Sequence, residues 1–95
     1  MYRQETAKLR MITRSPTFRM VLTDHAEERM TEYEVARFEI EKVMKAGAVV
    51  MIDMEPSGTE TWRVAGRDVD GRRIEVVIEP IPPSMVVVIT VIRVS

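Results

Sequence analysis

The apolar positions of this chain change period along its length, and the changes mark out elements. Thr17–Leu22 alternates, with Phe18, Met20 and Leu22 against Arg19 and Val21, which predicts a strand. A helix follows over about Asp24–Met30, with Thr23 or Asp24 as N-cap; if Asp24 caps, Glu27 completes a capping-box-like pair. Thr31-Glu32-Tyr33-Glu34 reads as a second capping box, opening a helix over about Glu32–Lys45. Ala36, Ile40, Val43, Met44 and Gly47 recur at helical spacing on its inner face, and Gly47 is a natural stop. Glu32, Glu39 and Lys42 point elsewhere and read as a solvated face. Ala48–Met54 is a further strand, closed by the turn Glu55-Pro56-Ser57-Gly58.

The next segment holds the most geometry. Thr61–Arg67 and Arg72–Glu79 flank an Asp70-Gly71 turn. A two-residue loop would pair Val64 with Val77 and Arg63 with Ile78, mixing arginines and aliphatics on both faces. A three-residue loop, Val69-Asp70-Gly71 with the glycine left-handed, shifts the register by one. Trp62, Val64, Ile74, Val76 and Ile78 then share one face; Arg63, Ala65, Arg67, Arg73 and Glu75 share the other. A one-residue slip flips every side chain, so the segregated register is the expected one. It predicts an apolar face under the helices and an open face carrying Arg63, Arg67 and Arg73. After the turn Ile81-Pro82-Pro83-Ser84, Met85–Val94 is apolar at nearly every position and reads as a central strand with both faces largely covered. Thr90 is its polar break, read either as a hydroxyl satisfied by the backbone or as a site residue.

The expected fold is therefore α+β: two helices packed on one face of a mainly antiparallel four- to five-stranded sheet, in the order β-α-α-β-β-β-β. Residues 18–95 form one domain, and residues 1–17, basic with Leu9, Met11 and Ile12, form an arm or a short helix ended by Ser15-Pro16. Ninety-five residues suffice for one small core.

Composition narrows the function classes. The hydrophobic fraction of 45% and charged fraction of 31% are those of a globular domain. The chain has no cysteine, which removes disulfides and thiolate metal sites and suits the cytoplasm, the expected location. No apolar run reaches membrane-spanning length, so no membrane partner is expected. Net charge is −1 but uneven: residues 1–20 carry five cations and one anion, residues 21–60 four and ten, residues 61–95 five and four. The helical half is acidic, and the chain as a whole lacks the basic excess usual in nucleic-acid binders. There is no phosphate-binding glycine loop, no dinucleotide fingerprint and a single histidine, so neither a cofactor nor a metal is expected. The eight methionines either fill core gaps or make an adaptable binding surface.

The candidate chemistry centres on Thr23-Asp24-His25-Ala26-Glu27-Glu28-Arg29-Met30. His25 and Arg29 are i and i+4 and share a helix face. The helix dipole disfavours protonated His25 while Asp24, Glu27 and Glu28 favour it. A neutral imidazole there could serve as a general base; equally, His25 could pack at the helix start with Arg29 bracing the neighbouring turn.

His25, Ala26, Arg29 and Met30, then Ala46-Gly47, Asp70 to Ile74, Val76, Val77 and Val88 to Thr90, carry a resemblance over about residues 20–93. The chain resembles a small bacterial domain family of unknown function with a His-Ala-x-x-Arg-Met signature, allied to the RelE/ParE-like and BrnT-type toxins. It departs from that family's Arg-Gly-Ile turn after Arg-Met, reading Thr31-Glu32-Tyr33-Glu34-Val35 instead. The resemblance implies a RelE-like fold and, as partner, a small antitoxin-like protein. Two functions are then expected in competition. One is a toxin-type, metal-independent endoribonuclease, with His25, Arg29 and Thr90 catalytic and Arg63, Arg67 and Arg73 gripping RNA phosphates. The other is a non-catalytic interaction module that binds a partner protein or forms a homodimer.

Overall fold

The computed structural model describes residues 2–94, so Met1 and Ser95, the ends of the two predicted segments, lie outside the described residues. In chain order the elements are α1 (Arg3–Arg14), β1 (Arg19–Leu22), α2 (Asp24–Tyr33), α3 (Arg37–Ala46), β2 (Ala48–Met54), β3 (Glu60–Arg67), β4 (Arg73–Ile81) and β5 (Met85–Arg93). The sheet order is β1-β5-β4-β3-β2; β1 runs parallel to β5 and every other pair is antiparallel. The α+β reading with a mainly antiparallel sheet holds. The count of helices is corrected: α1 joins α2 and α3 on the same face of the sheet.

Residues 3–14 are thus a docked helix rather than a loose arm. Leu9 is fully buried, and Ile12 and Thr13 are buried beside it in the common core. Arg10 ties α1 to α3, its guanidinium donating to the carbonyls of Met44 (3.1 Å) and Gly47 at the open C-terminal end of α3. Those carbonyls have no partner within the helix, and a cation there also opposes the helix dipole. Burial, with the charge of Arg14 second, lowers the pKa of Arg10 below the usual arginine value.

The junction between α2 and α3 is the second correction. Thr31 does not cap; it lies inside α2, its hydroxyl donating to the Glu27 carbonyl at 3.2 Å. The α2 helix runs on to Tyr33 and ends at Glu34 in the left-handed conformation. Ala36 then precedes α3, and the carboxylate of Glu39 accepts from the Ala36 N–H at 2.9 Å. Its other oxygen accepts from the Val69 N–H at 3.0 Å, tying α3 to the β3–β4 hairpin. Glu39, read from sequence as solvated, is only 5% exposed, because both oxygens have backbone donors to answer. At the start of α2 the cap is Thr23, which accepts from the Ala26 N–H at 3.1 Å while its hydroxyl donates to the carbonyls of Val88 and Ile89 on β5.

The hairpin takes the segregated register. Arg63 pairs with Val77, Val64 with Val76 and Trp62 with Ile78, around the three-residue loop with Gly71 at φ +80°. The helices bury Val64, Ile74, Val76, Ile78, Val86, Val88 and Val91. The β5 strand is interior, as expected, but β4 is the central strand and β5 is covered on one face only; its other side chains, Val87, Ile89, Thr90 and Ile92, are half-buried. A bulge explains its packing. Ile78 pairs with Val88 but Val77 with Thr90, which leaves Ile89 extra. Strict alternation from Val86 and Val88 would drive the Thr90 hydroxyl into the core. The extra residue puts Val91 there and turns Thr90 out.

Candidate functional site

The open face of the sheet is built in rows. One row runs Met51–Arg63–Val77–Thr90, and the next runs Ala48–Ala65–Glu75–Ile92. Beyond them, at the hairpin end, Arg67 lies directly opposite Arg73. Of the predicted site residues, Arg63, Arg67, Arg73 and Thr90 are thus brought onto one surface. His25 and Arg29 are not joined to it. They ride on α2, which packs Ala26 and Met30 against the core and hence lies on the other side of the sheet.

At 100° per residue His25 and Arg29 share a flank of α2, opposite the flank of Glu27, Thr31 and Glu34. His25 is exposed in the first turn and, among the described residues, has no hydrogen bond or ion pair. Arg29 is held by the Glu32 carboxylate one turn on; that hydrogen bond, then the Glu32 charge, raises its pKa above the usual arginine value. No hydrogen bond or ion pair among the described residues links this pair to the arginines or Thr90 of the sheet.

Sequence reasoning put Glu75 on this face but gave it no part in the site. Its carboxylate, 12% exposed, sits between two cations, 3.5 Å from Arg63 Nη1 and 3.0 Å from Arg73 Nε. It was legible in the register, since Glu75 pairs with Ala65 and so stands diagonal to Arg63. The Nε–H of Arg63 is buried and has no acceptor among the described residues. Among the described residues the Arg67 guanidinium donates only to the Gly71 carbonyl, at 3.1 Å. The aliphatic neighbours Val77 and Ile92 were missed as site residues too: the β3–β4 register already put Val77 on this face opposite Arg63, whereas the row of Ile92 depends on the β5 bulge, which has no clear sequence signal.

Asp68, 3% exposed, closes the hairpin end behind these arginines. One oxygen accepts from the N–H groups of Asp70 (2.9 Å) and Arg72 (2.8 Å), and the other meets Arg72 Nε at 3.2 Å. Burial alone would raise its pKa, but the two backbone donors and the Arg72 charge outweigh it and hold the carboxyl below its ordinary value. The hairpin that presents Arg67 and Arg73 is therefore braced by a charged Asp68. A cleft of about 790 Å³ lies elsewhere, between α1 and the β4–β5 turn, with Met11, Ile12, Trp62, Pro80, Pro82 and Pro83 in its walls. None of the predicted site residues lines it.

Fold and surface together define a small α+β domain with three helices on one side of its sheet and an open arginine- and aliphatic-lined face on the other. Residues 22–93 match the family model of a domain of unknown function, DUF4258. The chain belongs to that family, with α1 and most of β1 preceding the matched stretch. No curated protein and no solved structure matches the chain. No helix among the described residues is long and apolar enough to cross a membrane.

Proposed function

We propose that this domain is a toxin-type binding module, allied to the RelE/ParE and BrnT groups, that holds a partner protein against the open face of its sheet. One observation carries the reading: the face opposite the helices is uncovered and combines aliphatic side chains with arginines that are mostly already paired. Val77, Thr90 and Ile92 lie beside Arg63 and Arg73, whose charges Glu75 partly satisfies. Surfaces of this mixed kind, apolar in the middle and rich in arginine, are typical of protein interfaces. The sequence resemblance supplies an antitoxin-like protein as the partner, with a second copy of the chain as the alternative.

The test is co-expression with the product of the adjacent gene, with the complex sized by light scattering. The expected result is a complex formed by the parent and lost in Val77→Gln, whose circular dichroism stays that of the parent. A parent chain that stays monomeric and captures nothing, or a Val77→Gln chain that binds as well as the parent, would sink the reading.

A second reading, the metal-independent endoribonuclease, is favoured by His25, exposed and unpaired among the described residues, with Arg29 on the same flank. In it the imidazole takes the proton of a ribose 2′-hydroxyl, whose oxygen attacks phosphorus. The P–O5′ bond breaks, the 5′-oxygen takes a proton from solvent water, the imidazolium returns its proton to solvent, and a 2′,3′-cyclic phosphate remains. Arg29, on the same flank of α2, would steady the phosphorane, while Thr90, Arg63, Arg67 and Arg73, on the opposite face of the sheet, would hold the strand away from the cleaved bond. Cleavage of total RNA with chelator present is the measurement; His25→Ala should then lose about 10²–10⁴-fold in rate. Binding through the three arginines should show a salt slope of roughly −2. A parent chain that neither binds nor cuts RNA removes this reading and leaves the binding module.

A further inference from the structure

Arg67 and Arg73 stand directly opposite each other on β3 and β4, on the open face. Directly opposed side chains in a sheet have Cβ atoms about 5 Å apart, and like charges so placed destabilise the pair. Arg73 is partly relieved by Glu75, 3.0 Å away. Arg67 has no carboxylate partner among the described residues; its one hydrogen bond goes to the Gly71 carbonyl, which leaves most of its donors free. Arg63 shares the same Glu75 at 3.5 Å and keeps an unanswered Nε–H. Three guanidiniums around one carboxylate leave this corner two charges positive. Of the helix layer behind the sheet, α2 and α3 come from the acidic part of the chain, residues 21–60, with ten anions to four cations, whereas α1 comes from the basic first twenty residues.

The neighbours decide what kind of anion suits the corner. Val77 and Ile92 lie in the adjoining rows. None of the five aromatic residues stands on the open face: Trp62 is in the core, Tyr2, Phe18 and Tyr33 pack against it, and Phe38 is exposed on α3. Single-stranded RNA draws much of its affinity from bases stacked on aromatic rings, and that platform is missing. A peptide with a carboxylate next to aliphatic side chains meets both halves of the surface. The planar guanidinium also matches a carboxylate with two parallel hydrogen bonds.

We propose that Arg67 and Arg73 form a carboxylate clamp for an Asp or Glu of the partner protein, whose neighbouring aliphatic residues lie along Val77 and Ile92. The proposal rests on the reading that the open face is the binding surface.

Fluorescence anisotropy with a labelled Gly-Ser-flanked peptide of core Val-Glu-Leu-Glu-Val tests it, against its Gln twin and an oligouridylate. The acidic peptide should bind at least tenfold more tightly than its Gln twin. The double variant Arg67→Gln with Arg73→Gln should lose about as much. Arg19→Gln, at the far end of the sheet, should leave binding within twofold, and the fold of each variant is checked by circular dichroism. If the Gln twin binds as tightly, or Arg19→Gln weakens binding as much as the double variant, the clamp is overturned. In that case a loss on Val77→Gln keeps the open face as the binding surface, whereas no loss there removes that reading as well. Tighter binding of oligouridylate than of the acidic peptide, or no binding of the peptide, also overturns the clamp.

Discussion

Gly47→Ala is expected to destabilise the fold by about 3 kcal/mol, at the upper end of what overpacking costs. A Cβ at this position would stand 2.4 Å from the Ala65 carbonyl oxygen and 2.7 Å from that of Val43. Both are backbone atoms, so no side chain can swing away. The β3 strand, the end of α3, or both must move, and the Gly47 carbonyl held by Arg10 moves with them. At this chain length the loss corresponds to a fall in Tm of roughly 12–24 °C, measured by thermal melting. Gly66→Ala is the internal comparison. There the obstacle is the Val43 side chain, with Cγ2 at 2.8 Å, so adding Val43→Ala should recover part of the loss at 66 and none at 47. A Gly47→Ala chain as stable as the parent would show that α3 and β3 are not held at this spacing.

The second large effect concerns α1. Leu9→Ala should cost about 3 kcal/mol, since the residue is fully exposed to core neighbours and to no solvent, and leucine truncations at such sites cost 2–5 kcal/mol. Removing residues 2–17 altogether takes away Leu9 and Ile12 and uncovers the part of the core and of α3 that α1 packs against. It also frees the C-terminal carbonyls of α3 that Arg10 satisfies. The shortened chain is expected to lose cooperative unfolding in urea. If it unfolds with the parent's midpoint and slope, α1 is an appendage and the core closes without it. The result matters for the family, because the matched stretch begins at residue 22, after this helix.

What could be read from the sequence was what repeats or excludes. The β3–β4 register was legible because only one pairing separates Arg63, Arg67 and Arg73 from Trp62, Val64 and Ile78, so the open face followed without coordinates. The α2–α3 boundary was not. Thr31-x-x-Glu34 satisfies the capping rule as well as the true start does, and what decides is tertiary: Glu39 is drawn in by the Val69 N–H from a hairpin 30 residues away. The docking of α1 was hidden because its apolar residues are sparse among five basic ones in the first twenty positions. The candidate site divided in the same way. The arginines were found through strand geometry, whereas the placement of His25 depends on which side of the sheet α2 packs, and a local motif does not carry that information.

The parallel pairing of β1 with β5 bears on how the molecule comes to be folded. Thr23, at the end of β1, reaches Ile89 across 66 residues of chain. Closing so long a loop costs chain entropy before any contact repays it, and domains dominated by such distant pairings fold slowly. During synthesis β1 leaves the ribosome early and finds no strand to join until β5 has emerged behind it. In that interval Met20 and Leu22, which later face the core, stand uncovered beside unpaired backbone groups. The last strand made is thus the one that completes the first, and until then the nascent chain offers a sticky edge of the kind chaperones hold.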